Sequence, residues 1–529
     1  MHALPASAFP EVDSARRKQI GAWYTPAWLV EYVVDQVLGR VSSEAATARE
    51  APITVVDPAC GDGRFLASVR RRLGDRVVVT GVDIDPAALV AARTHLGDGA
   101  ELILADALVY DWADRRFDVV IGNPPYLSQM AAKTTRNRRS DHGGGLYADA
   151  AVEFLALSLR LAASTGSQSA LVLPASMLST RDAAPIRRRA AETGSLEWFW
   201  WSPSLEFEDA NIRTCVFGWV SGSRSRHIAR AIGSTSRRAV DVPATALQSA
   251  TWASLIADQL GIPALPEAWR STRLVADIGV ANANFRDEYY GLVGAVAEAP
   301  SGSTLDGPPT ALDGPPSPSD GFGQLDLGLG TAVAAGPFAP LVTSGLIDPG
   351  RCAWGLQPVR FNKVPYRAPV VDLTRLTPKM RRWADRKRVP KVLLANQTRV
   401  IEAVVDASGE WLPSVPVINV RPVDPRHLWH LAAALSNPVS SAIAALQGLG
   451  AGLSASAIRL SAPKVARLPI PDGDPHTPSS SWSNAATQFA DGDVVAAGLT
   501  MLDAYEIDAP EVAAWWITEI TRRISPATD

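Results

Sequence analysis

Stretches dominated by apolar residues alternate with amphipathic stretches between residues 53 and 121. The apolar stretches are continuous rather than alternating with polar residues, which is typical of parallel strands covered on both faces by helices. They lie at 53–57, 77–82, 102–105 and 117–121, and the helical stretches between them lie at 64–73 and 86–96. This order predicts an α/β fold with a doubly wound, mostly parallel sheet.

The same alternation continues after a polar loop and is lost near residue 235. The further elements that it predicts are helices at 147–163 and 181–192 and strands at 170–173, 196–201 and 214–220. Residues 243–300 have a largely helical pattern. The first compact domain is therefore predicted at 1–235, where strands and helices follow each other closely.

The rest of the chain has a different composition. Residues 300–321 are rich in Pro, Gly and Ser with a repeated LDGPP, which indicates a flexible linker rather than a core. A second globular region follows at about 340–471, and the tail contains one predicted helix near 510–524. We therefore expect a helical connector and linker at 236–338, a second domain at 339–475 and a C-terminal tail with a helix at 476–529.

Composition excludes several classes of protein. Hydrophobic residues make up 47% and charged residues 20% of the 529 residues, as in globular domains. No run of about 18 apolar residues predicts a membrane span, and the first residues lack the pattern of a signal peptide. The three cysteines lie far apart without metal-ligand spacing, so we expect a reducing, cytoplasmic location and no metal site.

A net charge of −3 argues mildly against a nucleic-acid partner, but the basic residues are unevenly distributed. Between residues 351 and 399, only Asp372 and Asp385 oppose a cluster of basic side chains. These are Arg351, Arg360, Lys363, Arg367, Arg375, Lys379, Arg381, Arg382, Arg386, Lys387, Arg388, Lys391 and Arg399. Such a cluster suits a phosphate backbone, and the alternative is an ordinary solvated surface.

Carboxylates follow three successive strands, at the sheet edge where ligands bind in such folds. The first strand leads into Asp57-Pro-Ala-Cys-Gly-Asp-Gly63, the second into Gly81-Val-Asp83-Ile-Asp85, and the third into Ala105-Asp106. Asp83 is placed to accept hydrogen bonds from ribose hydroxyls, Asp106 to accept from an adenine amine, and Ile84 to pack on its ring. The first turn lacks G-x-G-x-x-G, so this pattern favours a nucleoside ligand over a dinucleotide.

The fourth strand ends in Gly122-Asn123-Pro124-Pro125-Tyr126. An exocyclic amine of a nucleobase is a poor nucleophile because its lone pair is delocalised into the ring. The amide oxygen of Asn123 and the carbonyl of Pro124 can accept its N–H groups and turn the lone pair toward a methyl donor. Pro124 and Pro125 restrict the backbone, and Tyr126 offers a ring face for stacking. We therefore predict these four residues as the catalytic group.

With these motifs, the sequence resembles the gamma-class N6-adenine DNA methyltransferases of the Taq type. The resemblance begins at GAWYTP (21–26), continues through DPACGDG, GVDIDP, LADA and GNPPY, and extends to Leu205-Glu-Phe207. It covers residues 18–222 well and residues 260–470 more loosely. It implies a Rossmann-like sheet that binds S-adenosylmethionine, followed by a C-terminal α+β target-recognition domain that binds double-stranded DNA.

The resemblance also implies roles for individual residues. Thr25 contacts the methionine part of the cofactor; Asp57, Ala59, Cys60, Gly61 and Gly63 form the cofactor loop; Asp83 holds the ribose; Asp106 and Ile84 hold the adenine; and Asn123 also contacts the cofactor. Tyr126 and Phe207 sandwich a target adenine that is rotated out of the duplex. Ala107 stands where relatives often have an aromatic residue. Phe207 remains open as an ordinary core aromatic, and we expect no nucleophilic role for Cys60.

Several alternatives stay open from the sequence. The same amine chemistry serves N4-cytosine, RNA or protein-glutamine methyltransferases, and an inactive DNA-binding homologue would retain the fold. The basic segment from Lys133 to Arg139 is either a loop that holds the opened strand or a plain surface loop. We expect a modification enzyme that acts as a monomer on DNA, with any restriction endonuclease encoded separately.

Overall fold

The computed structural model describes residues 24–40, 51–126, 143, 148–207, 212–248, 251–266, 269, 271–284, 286–300, 337–449 and 457–524. The chain divides into two compact units, Met1–Ile256 and Ala257–Asp529. Several predicted features lie outside the described residues: the segment from Lys133 to Arg139, nearly all of the Pro/Gly-rich stretch at 300–321, and residues 21–23 of GAWYTP.

A nine-stranded sheet forms the centre of the first unit, with strand order β3-β2-β1-β4-β5-β7-β6-β8-β9. The strands are β1 Ile53–Asp57, β2 Val77–Asp83, β3 Glu101–Leu104, β4 Val119–Gly122, β5 Gln168–Pro174, β6 Gly194–Trp201, β7 Thr214–Ser221, β8 His227–Ile232 and β9 Arg237–Pro243. The first five strands are parallel, and β7 lies antiparallel between β5 and β6. The strand order reverses between β1 and β4, and the carboxyl ends beside such a reversal form the usual ligand-binding crevice.

Helices of the first unit cover this sheet. They are α1 Ala27–Leu38, α2 Arg64–Leu73, α3 Pro86–Leu96, α4 Ala150–Leu161 and α5 Ala184–Thr193. Helix α3 begins where Asp85 accepts a hydrogen bond from the Ala87 amide and Pro86 occupies the first turn. Helix α2 begins after Gly63, which has φ +77° and where a Cβ would lie 3.1 Å from atoms of Ala92 and Leu96. Glycine is needed there because α3 packs so closely against the loop.

The α/β class predicted from the sequence is confirmed, since every predicted strand of residues 53–220 is present with its intervening helices. The first unit nevertheless extends beyond the predicted boundary at residue 235. Strand β9 pairs with β8 inside the same sheet, and the unit continues to Ile256. The polar sequence of β9, at the sheet edge, gave no strand signal because one of its faces is exposed to solvent.

The second unit contains two four-stranded sheets. One has the order β11-β23-β19-β21 and the other β12-β18-β13-β22. Their strands are β11 Gly279–Ala283, β23 Ile418–Pro422, β19 Lys391–Leu394, β21 Ala403–Asp406, β12 Val296–Glu298, β18 Pro369–Asp372, β13 Phe338–Val342 and β22 Leu412–Pro413. The remaining short strands are β10 Arg273–Leu274, β14 Ile347–Asp348, β15 Arg351–Cys352, β16 Val359–Phe361, β17 Val364–Tyr366, β20 Gln397–Thr398, β24 Ile458–Arg459 and β25 Pro469–Ile470.

Helices pack around these sheets. They are α6 Val275–Ile278, α7 Arg286–Leu292, α8 Pro378–Lys387, α9 Leu428–Leu435, α10 Pro438–Gly448, α11 Ala462–Val465, α12 Ser481–Ala490, α13 Val494–Ala504 and α14 Pro510–Ile524. Within the described part of the chain, no helix has both the length and the hydrophobicity needed to cross a bilayer.

Two predictions for the second unit were wrong. Residues 243–300 are not largely helical, because β11 and β12 pair with β23 and β18, more than 70 residues further along the chain. Tertiary pairing overrides local propensity at such positions. The tail contains three helices, α12, α13 and α14, instead of one.

Candidate active site

The carboxyl ends of β1, β2, β3 and β4 lie side by side, and the predicted site residues follow them. Asp57 is the last residue of β1 and pairs in register with Gly81, and Asp83 pairs in register with Leu104. Asn123 follows β4 directly, on the other side of β1. The sheet therefore brings together groups that are separated by up to 66 residues in the sequence.

The backbone amides of the loop after β1 already have acceptors within the protein. The Ala59 amide donates to Asp57 Oδ1 (3.0 Å), and the Cys60 amide donates to the Val82 carbonyl (2.9 Å). The Gly61 amide donates to Asp83 Oδ2 (2.8 Å), and the Gly63 amide donates to the Cys60 carbonyl (2.8 Å). A phosphate-binding loop needs such amides for its anion. This loop therefore does not fit a pyrophosphate, in agreement with the sequence prediction.

The electrostatics of the loop instead suit a ligand that donates hydrogen bonds and has a positive centre. Burial raises the pKa of Asp57 well above its usual range, and the hydrogen bond from Ala59 only partly opposes this. Burial also raises the pKa of Asp83, against the hydrogen bonds from the Asp85 and Gly61 amides. Ribose hydroxyls and a sulfonium group at this place would stabilise the ionised carboxylates. The residues present therefore fit S-adenosylmethionine.

The adenine end of the predicted cofactor site has an exposed apolar surface. Ile84 is 51% exposed, which is unusual for a large aliphatic residue directly after a buried strand. Asp106 is exposed, and its Oδ1 accepts from the Leu108 amide at 3.1 Å. Ala107 is buried, and its carbonyl accepts from Trp112 Nε1 at 2.9 Å. Of the residues 84, 106 and 107, only Ile84 thus offers an apolar face to an adenine ring.

Arg64 joins the segment before α1 to the cofactor loop, a role that the sequence prediction did not include. Its guanidinium binds the buried Asp62 carboxylate through two hydrogen bonds, with Nη2 at 2.6 Å from Oδ2. It also donates to the carbonyl of the buried Thr25 and lies over the Tyr24 ring, 4.6 Å from its centroid. These contacts hold Thr25 beside the loop. The Asp-Gly-Arg sequence at the end of the glycine-rich loop was the signal in the sequence that could have indicated this role of Arg64.

The tetrapeptide after β4 has a defined geometry. The Tyr126 hydroxyl lies 2.5 Å from Asn123 Oδ1, to which it can donate, and 3.1 Å from the Val172 carbonyl. Pro124 is buried, and Gly122 precedes the group at a position where a Cβ would lie 2.3 Å from Asp57 Oδ1. Glycine therefore allows β4 to approach the end of β1. An amide oxygen has two lone pairs, so Asn123 Oδ1 can accept a second hydrogen bond besides the one from Tyr126.

Tyr126 and Phe207 lie together, as predicted, but not as two parallel faces. Their ring centroids are 6.5 Å apart and their planes are at 86°, which is an edge-to-face contact. Tyr126 is 8% exposed, and Phe207 is 4% exposed within the main hydrophobic core. A base between them would require the Phe207 ring to turn, since the Tyr126 hydroxyl is held by its hydrogen bond to Asn123. The predicted sandwich is therefore not preformed, and Phe207 is a core aromatic in this conformation.

Cys60 is buried in the loop, and burial raises the pKa of its thiol far above the usual range, with the neighbouring Asp57 and Asp83 adding to the effect. A nucleophilic cysteine needs the opposite environment, one that lowers the pKa of its thiol.

The basic segment of the second unit divides into exposed and buried parts. Lys379, Arg382 and Arg386 lie at i, i+3 and i+7 on α8, and all three are exposed. We call these three residues the basic stripe. Lys391, counted among the cations of the sequence, is 1% exposed and paired with the buried Asp406. Lys391 is therefore not part of a phosphate-binding surface, because strand β19 turns it into the core.

Comparison with known proteins finds methyltransferases similar to the first unit. Residues 10–222, about two fifths of the chain, match the profile of the N-6 DNA Methylase family. The type II methyltransferase M.CvrRI of Paramecium bursaria Chlorella virus XZ-6E is 26% identical over 206 residues, covering 39% of this chain and 50% of that protein. The release factor glutamine methyltransferase of Rhodopirellula baltica is 35% identical over 106 residues, covering 19% of this chain and 33% of that protein.

Among solved structures, the methyltransferase subunit of a type I restriction-modification system from Streptococcus thermophilus is 22% identical. The alignment covers 40% of this chain and 48% of that chain, with a TM-score of 0.34. The chain thus spans about half the length, or less, of the curated relatives described above. The match of residues 10–222 supports a methyltransferase whose cofactor is S-adenosylmethionine.

Proposed function

We propose that the chain is a site-specific DNA methyltransferase that methylates the N6 amine of adenine with S-adenosylmethionine. The observation that carries this proposal is Asn123-Pro-Pro-Tyr126 at the end of β4, next to the carboxylates that end β1 and β2. A site for a cofactor and a site for a planar amine then share one edge of one sheet.

The residues after β4 position the amine. The Asn123 amide oxygen and the Pro124 carbonyl accept its two N–H groups, which localises the lone pair and directs it out of the plane of the base. The hydrogen bond from Tyr126 fixes the orientation of the Asn123 amide. When bound, S-adenosylmethionine supplies the methyl group to that lone pair. Catalysis of this kind rests on positioning and electrostatics, without a covalent enzyme intermediate.

An adenine within a duplex cannot reach these groups, so the proposal requires that the base rotate out of the helix at a cost of a few kcal/mol. In the flipped state, the ring of Tyr126 would stack on the base, and Phe207 would turn to cover its other face. The basic stripe of α8 is proposed to hold the duplex by its phosphates, with sequence recognition in the same unit. A separately encoded endonuclease would complete a restriction-modification pair.

A glutamine side chain in a protein is the second candidate for the methyl acceptor. It is favoured by the local identity to a release factor glutamine methyltransferase, and a carboxamide nitrogen has the same delocalised lone pair. The exposed basic stripe favours DNA over this candidate.

The test is transfer of radiolabelled methyl groups to unmethylated DNA, to RNA and to a release factor, followed by identification of the methylated product. We expect label in DNA as N6-methyladenine. Label in cytosine would correct the target base, and label only in RNA or protein would contradict the DNA proposal. The Asn123→Ala variant provides the background for each substrate.

A further inference from the structure

Three of the seven histidines in the sequence meet in the second unit. The rings of His427 and His476 are stacked with centroids 4.7 Å apart, and the His430 ring lies 5.1 Å from that of His476. His427 and His430 lie at the start of α9, and His476 comes from the turn before α12. The fold thus joins residues that are far apart in sequence.

Two of these rings have a buried nitrogen without a hydrogen-bond partner among the described residues: Nδ1 of His427 and Nε2 of His476. A buried polar atom without a partner is costly, and coordination of a metal ion would remove that cost. His430 is held differently, since its Nδ1 atom lies 3.2 Å from the Arg426 carbonyl.

A carboxylate completes the group. Asp424, His427 and His476 each offer a ligand atom, and these atoms all lie within 4.8 Å of one another. Asp424 is held in place by the Arg426 backbone amide and guanidinium. In a tetrahedral zinc site with bonds of about 2.0–2.1 Å, neighbouring ligand atoms are about 3.4 Å apart. Small side-chain rotations would therefore close the cluster around an ion.

We propose that Asp424, His427 and His476 bind a Zn²⁺ ion that joins the start of α9 to the turn before α12, with His430 packed beside the site. Two imidazoles and one carboxylate form a ligand set that zinc takes together with a water in the fourth position, and imidazole suits zinc better than magnesium or calcium. This proposal replaces the expectation from the sequence that the chain has no metal site. It is independent of the proposed methyl transfer.

The surroundings of the site fit a structural role. Trp482, at the start of α12, donates from Nε1 to the His430 carbonyl at 3.0 Å. An ion here would hold the two segments together.

The test uses the full chain without a polyhistidine tag, stripped with a chelator and titrated with Zn²⁺ and with Co²⁺. We expect one metal per chain, visible absorption of Co²⁺ typical of tetrahedral coordination, and a Tm that rises by several degrees with Zn²⁺. A wild-type chain that takes up less than about a tenth of an equivalent, or shows only octahedral cobalt, would overturn the proposal.

The matched variants are His427→Asn with His476→Asn, and His227→Asn as the control, since His227 is exposed on β8 in the first unit. The double variant should bind metal at least about 100-fold more weakly and lose the Tm response to Zn²⁺. The control should behave like the wild type. Unchanged affinity in the double variant would overturn the site, and the cobalt spectrum of the wild type tests it even where that variant folds poorly.

Discussion

The strand ends of the first unit and the core of the second unit use buried charged side chains in opposite ways. At the strand ends of the first unit, Asp57 is buried and Asp83 is partly buried, no cation is bound to either among the described contacts, and burial raises the pKa of each. In the second unit, Lys391 is buried with its partner Asp406, while the basic stripe of α8 is exposed to solvent. Buried charge without a counter-ion indicates a ligand site, whereas buried charge with one indicates structure.

The largest effect is expected on stability, when the buried ion pair of the second unit is broken. Lys391→Met leaves the buried Asp406 without its cation, and we expect the free energy of unfolding to fall by about 3–5 kcal/mol. Chemical denaturation measures this change. Lys379→Met, on the exposed stripe, is the control and should change stability by less than about 0.5 kcal/mol. Equal stabilities of the two variants would mean that the Lys391 pair is not structural.

The next effect concerns chemistry. Asn123→Ala removes the side-chain acceptor for the amine, and we expect the turnover number to fall by about 10²–10³-fold. Equilibrium binding of S-adenosylmethionine should stay within about threefold of the wild type, because the carboxylates and the loop that hold most of the cofactor are intact. Asn282→Ala, at an exposed position of β11, is the control. Normal turnover of Asn123→Ala would remove this residue from the site.

A smaller effect tests the carboxylate after β2. Asp83→Asn should weaken S-adenosylmethionine binding by about tenfold to a hundredfold, because hydrogen bonds to an ionised acceptor are lost. Because burial raises the pKa of Asp83, lowering the pH protonates it, so wild-type affinity should fall as the pH falls. Calorimetry across pH measures this, with the exposed Asp75→Asn as the control. A pH dependence that persists in Asp83→Asn would assign it to another group.

The smallest effect is expected on DNA affinity, when the exposed cations of the basic stripe are removed. Replacing Lys379, Arg382 and Arg386 with Gln should weaken DNA binding by at least about tenfold at moderate salt. The slope of log K against log salt should drop by about 2–3, since each phosphate contact contributes about 0.9. Arg226, Arg237 and Arg238, exposed in the first unit, give a triple Gln control with the same change in net charge. Identical slopes in both triple variants would make the stripe an ordinary surface.

Prediction from the sequence was most successful for strands that are buried along most of their length. Strands β1 to β7 were recognised because their apolar stretches are flanked by turns, and the site residues were placed because parallel strands end at one edge. Prediction from the sequence failed where the contacting residues are far apart along the chain, as for the pairing of β11 and β12 with β23 and β18 and for the contact of His427 with His476. Lys391 was misread because a count of cations does not show which face of a strand is buried. The edge-to-face contact of Tyr126 with Phe207 joins residues 81 positions apart, and no spacing rule indicates it.

The most direct test of the central claim is single-molecule sequencing of genomic DNA from a methylation-free host that expresses the full chain. We expect N6-methyladenine at one short recognition sequence with the wild-type protein and at a much smaller fraction of the same sites with Asn123→Ala. Unmodified DNA from a host that contains folded, cofactor-binding wild-type protein would contradict the claim, as would modification to the same extent in the Asn123→Ala variant.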